Sequence, residues 1–166
     1  MIRGAGKRAP GTNRRRRGSM FNSIVVGTDG SATASVAVRE AVDVAKAVGA
    51  TLELVCAYAP VSEQQLRRER REAPEDVQWG IHPRHEVESS LTDAADLARE
   101  AGVNVNTYAR EGDPADAILD VAEESGADLI IVGNKGMTGA KRFLLGSVPD
   151  KISHHAPCSV MIIRTS

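Results

Sequence analysis

The sequence predicts an α/β domain, a parallel β-sheet with helices on both faces. Three observations predict it. From Asn22 onward, short apolar runs alternate repeatedly with longer amphipathic ones, the pattern of strand–helix–strand units joined by right-handed crossovers. The run ADLIIVG (127–133) is the most apolar of the short ones, as the centre of a parallel sheet buried on both faces requires. Hydrophobic residues make up 42% of the chain but aromatics only 3%, so the core must be packed from Ala, Val, Ile and Leu. The length of 166 residues suits one such domain, with enough buried surface to need no staples.

Each element follows from its residues. SIVVGTD (23–29) is a buried strand running into turn residues. Residues 31–48 place Val38, Val42 and Ala45 at helical spacing, and Gly49 ends the helix. TLELVCAY (51–58) is the second strand. Residues 86–100 repeat Val87, Leu91, Ala94, Ala95 and Ala98 on one side, a helix stopped by Gly102. VNVNTYA (103–109) alternates as a strand. Asp113-Pro114 opens a helix marked by Ala115, Ile118, Leu119 and Ala122, proline suiting a first helical turn. After the strand at 127–133, a last helix covers 147–155 and SVMIIRT (159–165) is the last strand. The polar stretch from Ala59 to Pro83 is long for a loop in a compact domain and is expected to be a mobile segment or lid, with Trp79 packing against the second helix.

Charge divides the chain in two. Residues 1–20 hold Arg3, Lys7, Arg8 and Arg14 to Arg17, seven of the 21 basic residues, and no acid. The remaining 14 basic groups face 22 acidic ones, a net charge of −8. We therefore expect a disordered basic leader at 1–20 (or translation starting at Met20) and one domain over 21–166. The acidic body is a poor match to polyanions, so nucleic acid enters only through the leader. No apolar run approaches the 18 residues of a membrane span, and no signal-like segment follows the leader's charges. Cys56 and Cys158 make no disulfide framework and fit a reducing, cytoplasmic setting.

In an open parallel sheet, ligands sit beyond the carboxyl ends of the strands. Two such ends are equipped here. The first is Gly27-Thr28-Asp29-Gly30-Ser31. The second is GNKGMTGAKRFLLGSV (133–148). Gly133 and Gly136 would let backbone amides approach an anion. Gly146-Ser147 opens a helix whose first amides are unpaired and whose dipole end is positive. Ser147 is expected as N-cap, with Asp150 completing a capping box, and Lys135, Lys141 and Arg142 add cations. These parts describe a phosphate cradle. Two tight turns and a capped helix with no ligand would use the same residues.

Gly133-x2-Gly136-x9-Gly146-Ser147 after an apolar strand, VVGTDGS in the first strand, and the ending HAPCSVMII (155–163) together resemble the ATP-binding class of the universal stress protein (UspA-like) family, over about residues 21–165. The resemblance implies a Rossmann-like five-stranded sheet in the order 3-2-1-4-5 and a homodimer paired through Ser159–Thr165. It implies adenine near the first two strands, contacted at Ala57, with Asp29 facing the adenine or ribose end. Gly133, Gly136, Gly146, Ser147 and Val148 match positions that hold ribose and phosphates, and Gly27, Thr28, Asn134 and Lys135, beside them in the two strand-end stretches, are expected to bind the same ligand. The implied role is stress adaptation and signalling with little hydrolysis, the cofactor being ATP, accompanied by Mg²⁺. Where the family often has Ser or Thr after Gly-Ser-Val, this chain has Pro149, which offers neither hydroxyl nor N–H. Loss of two phosphate donors costs a triphosphate more than a compact nucleotide, and makes cyclic AMP or another adenine nucleotide the rival ligand.

Other signals in the sequence point to no further chemistry. No GxxxxGK[ST] or GxGxxG is present. His154, His155 and Cys158 read as a helix end and a core thiol, not as metal ligands. His82 and His85 lack a third ligand, Cys56 reads as a buried thiol, and RRERR (67–71) as a solvated loop segment. Asp29 is a lone carboxylate with no base or carboxylate cluster beside it, which favours binding over turnover. The alternatives are a slow ATPase or autophosphorylating protein using Ser147 or Thr138, a nucleotide-free interaction module, and a nucleic-acid tether in the leader.

Overall fold

The structure is a computed structural model that describes residues 20–59, 83–134 and 145–165. Residues 1–19 of the leader, residues 60–82 of the expected lid with RRERR, Trp79 and His82, and Lys135, Gly136, Thr138, Lys141 and Arg142 lie outside the described residues. Among those described, the chain runs β1 (Ser23–Gly27), α1 (Ala32–Val48), β2 (Thr51–Tyr58), α2 (Pro83–Glu100), β3 (Val105–Glu111), α3 (Pro114–Ser125), β4 (Leu129–Gly133), α4 (Ser147–His155) and β5 (Ser159–Ile163). The strands form one sheet in the order β3-β2-β1-β4-β5, and each neighbouring pair is parallel.

Strand alternation divides the core between two faces. Ile24, Val26, Leu52, Leu54, Leu129 and Ile131 point to the side covered by α1 and α2. Val25, Val55, Ile130 and Val132 point to the side covered by α3 and α4. Burial on both faces explains why β1 and β4 carry no polar residue between Ile24 and Val26 or between Leu129 and Val132.

Helix ends follow local chemistry. The Ser31 hydroxyl accepts from the Ala34 amide at 3.1 Å and caps α1, while Gly49 closes it in the left-handed conformation at φ 69°. Asp113 Oδ1 accepts from the amides of Ala115 and Asp116, and Pro114 takes the first helical position of α3.

Several boundaries differ from the sequence expectation. β1 stops at Gly27: the Thr28 amide makes one last bond, to Val55 O at 2.8 Å, and the chain then turns through Gly30, whose φ is +75°. β4 starts at Leu129 because the Ala127 amide still serves α3, donating to Ala122 O. α2 begins at Pro83, three residues before the expected start, since His85 and Glu86 in its first turn are exposed and leave no apolar mark. β3 is shifted to 105–111, and β5 ends at Ile163. Ser147 is not the N-cap of α4: Gly146 holds that position with no side-chain cap, and the expected capping box does not form.

Candidate functional site

A cavity of about 190 Å³ opens at the carboxyl ends of β1, β2 and β4. Its floor is apolar, made by Val55 and Ala57 of β2, Val132 of β4 and Ile118 of α3. Gly27, Thr28 and Asp29 form the wall that continues β1, with Ala34 of α1 behind them. Gly133 and the first turn of α4, Gly146 to Pro149, form the wall beyond β4. Pro114 of α3 completes the rim.

Local hydrogen bonds shape the β1 wall. Asp29 Oδ1 accepts from the Ser31 amide at 2.9 Å, and Thr28 Oγ1 from the Gly30 amide at 3.2 Å, two side-chain-closed turns in succession. One carboxylate oxygen of Asp29 is thereby engaged, leaving the other to meet a ligand's hydroxyl or amine. The α4 wall has the opposite polarity. The first amides of a helix have no acceptor within it, so Ser147 and Val148 turn theirs outward. Gly146 contributes no side chain, and the Ser147 hydroxyl, freed from capping, is exposed. Pro149 is buried in this turn and brings no N–H. The Asp150 amide is committed to Gly146 O at 3.1 Å.

The two walls beside α3 and α4 are tied together by Lys151, whose Nζ lies 2.7 Å from Asp116 Oδ1 and 3.2 Å from Asp113 Oδ1. The hydrogen bonds from the Asp116 amide and from Lys151 hold the Asp113 carboxyl below the usual carboxylate range. Its bond to Asp116 raises the Lys151 ammonium.

A ligand here meets a carboxylate at one wall, a positive helix end at the other and an aliphatic floor between. Coulomb's law orients an amphoteric molecule across such a field, its anion toward α4 and its neutral donors toward Asp29. Asp29 is the one carboxylate in the cavity wall among the described residues, and no three His, Cys, Asp or Glu side chains among them converge on a metal position. Cys56 faces the other side of the sheet from Val55 and Ala57. Burial, helped by the charge of Asp29, pushes its thiol up to about 11, so it is no nucleophile at neutral pH. His154 and His155 end α4 exposed to solvent, and Cys158 is half-buried against the α3–α4 side.

Of the residues singled out in the sequence, Gly27, Thr28, Asp29, Ala57, Gly133, Gly146, Ser147 and Val148 meet around this one cavity. Asn134 does not line it. Its side-chain oxygen accepts from the amide and hydroxyl of Thr165 at 2.8 and 2.9 Å. Ala34, Val55, Pro114, Ile118 and Val132 were not singled out; Val55 and Val132 sit two residues and one residue before named positions, and strand alternation marks Val55 as sharing the face of Ala57.

The family model described as "Universal stress protein family" matches residues 20–164. The chain belongs to the universal stress protein family. It is similar to universal stress protein Rv1636 of Mycobacterium tuberculosis H37Rv, 36% identical over 149 residues that cover 89% of this chain and 99% of that protein. It is 37% identical over 151 residues to universal stress protein YxiE of Bacillus subtilis, covering 87% and 100%. Among solved structures it resembles a universal stress protein crystallised in complex with cAMP, with a TM-score of 0.65, 31% identity, and coverage of 88% of this chain and 98% of that one. The sheet order and the paired helical layers are those of this universal stress protein fold.

Proposed function

We propose that this universal stress protein binds an adenine nucleotide in the cavity at the carboxyl ends of β1, β2 and β4, and acts as a cytoplasmic sensor or regulator in stress adaptation without efficient turnover. The observation that carries the reading is the polarity of the cavity: Asp29 on one wall and the free amides of α4 on the other, across an aliphatic floor. Adenine fits the floor at Val55 and Ala57, ribose hydroxyls the free oxygen of Asp29, and phosphate the Gly146–Val148 turn. Gly133, Lys135 and Gly136 belong to the same binding stretch in this reading, within a domain covering 21–166. A solved relative that holds cAMP supports the ligand class.

A compact nucleotide, cyclic AMP or AMP, is favoured over ATP by one observation. Pro149 occupies the third position of α4, buried in the cavity wall, and removes both an amide and a hydroxyl from the phosphate end. ATP with Mg²⁺ keeps fewer fixed partners there.

The regulatory form is read as a homodimer paired through Ser159–Thr165. β5 is an edge of the sheet, and its run SVMII carries no charge to discourage pairing. Free Cys56 and Cys158 support a reducing compartment, and no helix among the described residues is long and apolar enough to cross a membrane.

Calorimetric titration of the Met20–Ser166 protein with ATP and with cAMP tests the reading, with Gly146→Trp as the blocked control. Saturable binding that disappears in the control is the expected outcome, with cAMP the tighter ligand. Silence with both would sink the nucleotide reading and leave an interaction module. Release of ADP or a phosphoprotein with Mg·ATP would move the protein to the enzymes.

A further inference from the structure

We propose that Asn134 is a positioning residue for the anion-binding turn, anchoring it to the C-terminal end of the chain through Thr165. Asn134 follows the last residue of β4 and uses every backbone and carbonyl group it has. Its amide donates to Ile163 O at 2.8 Å, and its own carbonyl accepts from the Gly146 amide at 3.1 Å. Its side-chain oxygen accepts twice from Thr165, from the amide at 2.8 Å and the hydroxyl at 2.9 Å.

These bonds place Asn134 at a junction. Gly146 is the N-cap of α4 and lines the cavity, so the bond from its amide to Asn134 ties the start of α4 to the residue that follows β4. The side chain cannot make that contact, since it points to Thr165. What it does is hold its own carbonyl still, because its backbone is pinned to Ile163 on one side and its amide group to Thr165 beyond it. The first free amides of α4 then face the cavity at a set height. Positioning of donors within an ångström governs how well they meet an anion. The residues that decide this, Ile163 and Thr165, lie outside the cavity lining.

The proposal rests on the nucleotide reading for its ligand, and the test separates the two. The variants are Asn134→Ala, which deletes the acceptor, Thr165→Val, which deletes the hydroxyl alone, and Asn134→Asp, which keeps an acceptor oxygen. In ligand-free protein, amide hydrogen exchange at Gly146 is expected to quicken about fivefold in Asn134→Ala, less in Thr165→Val, and to return toward the parent rate in Asn134→Asp. Exchange at Ile131 in β4 should not change. AMP and adenosine, which differ only in the phosphate, are then titrated into parent and Asn134→Ala protein. AMP should weaken about fivefold while adenosine stays within about twofold. Unchanged Gly146 exchange in Asn134→Ala overturns the proposal, as does equal quickening at Gly146 and Ile131 or equal weakening of the two ligands, which would mean general loosening. If the parent binds neither ligand, the nucleotide reading falls and the exchange rates alone decide whether Asn134 holds the turn.

Discussion

Ile118 of α3 stands where a Cβ on Gly27 would have to go. Both residues line the cavity, one at the end of β1 and the other in its floor, so the missing side chain at Gly27 sets how deep the floor lies. Gly27→Ala should push the Ile118 terminal methyl out of place. Overpacking of this kind costs about 1–3 kcal/mol, and nucleotide affinity should drop about tenfold because the displaced methyl enters ligand space. Ile118→Val removes the clashing methyl, so the double variant Gly27→Ala/Ile118→Val should recover most of both losses. A double-mutant cycle on urea midpoints and on AMP affinity reads the coupling; simple additivity would dismiss the explanation.

Gly30 is constrained in a different way. Its φ of +75° is left-handed, and a Cβ there would lie 2.6 Å from Ser90 Oγ of α2. Gly30→Ala should therefore cost about 1–2 kcal/mol from the backbone, with more from the contact. Adding Ser90→Ala should return only the contact part. Urea unfolding of the three variants separates the two contributions. Full recovery by Ser90→Ala would show that the backbone conformation is not what requires glycine.

Much of this arrangement is legible in the sequence because strand and helix periods mark burial directly. LIIVG reads as a strand buried on both faces, and Asp113-Pro114 as the start of a helix. Glycines after strand ends announce where backbone must approach something closely, and Gly27, Gly133 and Gly146 indeed meet at one cavity. What escapes notice depends on partners distant in the chain. Asn134 reads as a binding residue from its place between Gly133 and Gly136, yet its side chain is claimed by Thr165, 31 residues away. Ile118 and Pro114 read as helix-packing residues, and nothing local says that α3 leans over the strand ends. Ser147 has the composition of a cap, but Gly146 already has the extended backbone a cap needs.

Away from the cavity, the buried carboxylate of Glu53, 5% exposed, is held by neutral donors: the Tyr108 hydroxyl at 2.9 Å and the Asn106 amide at 3.1 Å. Burial first, and the bond to Glu53 next, push the Tyr108 phenol up to about 12 from its ordinary 10.0. A folded value above the unfolded one means that this stabilisation is complete below about pH 10 and is lost as pH rises through 12. Tyr108→Phe should lower stability at pH 7 by about 1–3 kcal/mol, since a buried acceptor loses a donor. The gap between the two proteins should narrow from pH 10 upward. Chemical unfolding at several pH values, with phenolate absorbance of a Tyr58→Phe protein reporting Tyr108 alone, checks both. A gap that stays constant to pH 12 would exclude this linkage.

The edge strand supplies the last prediction. β5 pairs with β4 through residues 159–163 and, among the described residues, has no strand on its other side. Ile162 is 37% exposed there, an apolar side chain on an open strand edge with no lysine or proline to blunt it. In the proposed dimer that surface is covered by its own copy about a twofold axis, so the interface holds Ile162 from both protomers. Ile162→Lys would place two ammonium groups in one apolar contact, each costly to bury unpaired. Dimer dissociation should rise at least about tenfold by sedimentation equilibrium, while the unfolding midpoint extrapolated to low protein concentration stays near the parent value. Because Asn134 ties Thr165 at the end of this edge to the Gly146 turn, the same variant also asks whether the two surfaces communicate. AMP affinity that is identical in dimeric parent and monomeric Ile162→Lys would make the edge an assembly surface alone, and a shifted affinity would couple assembly to ligand.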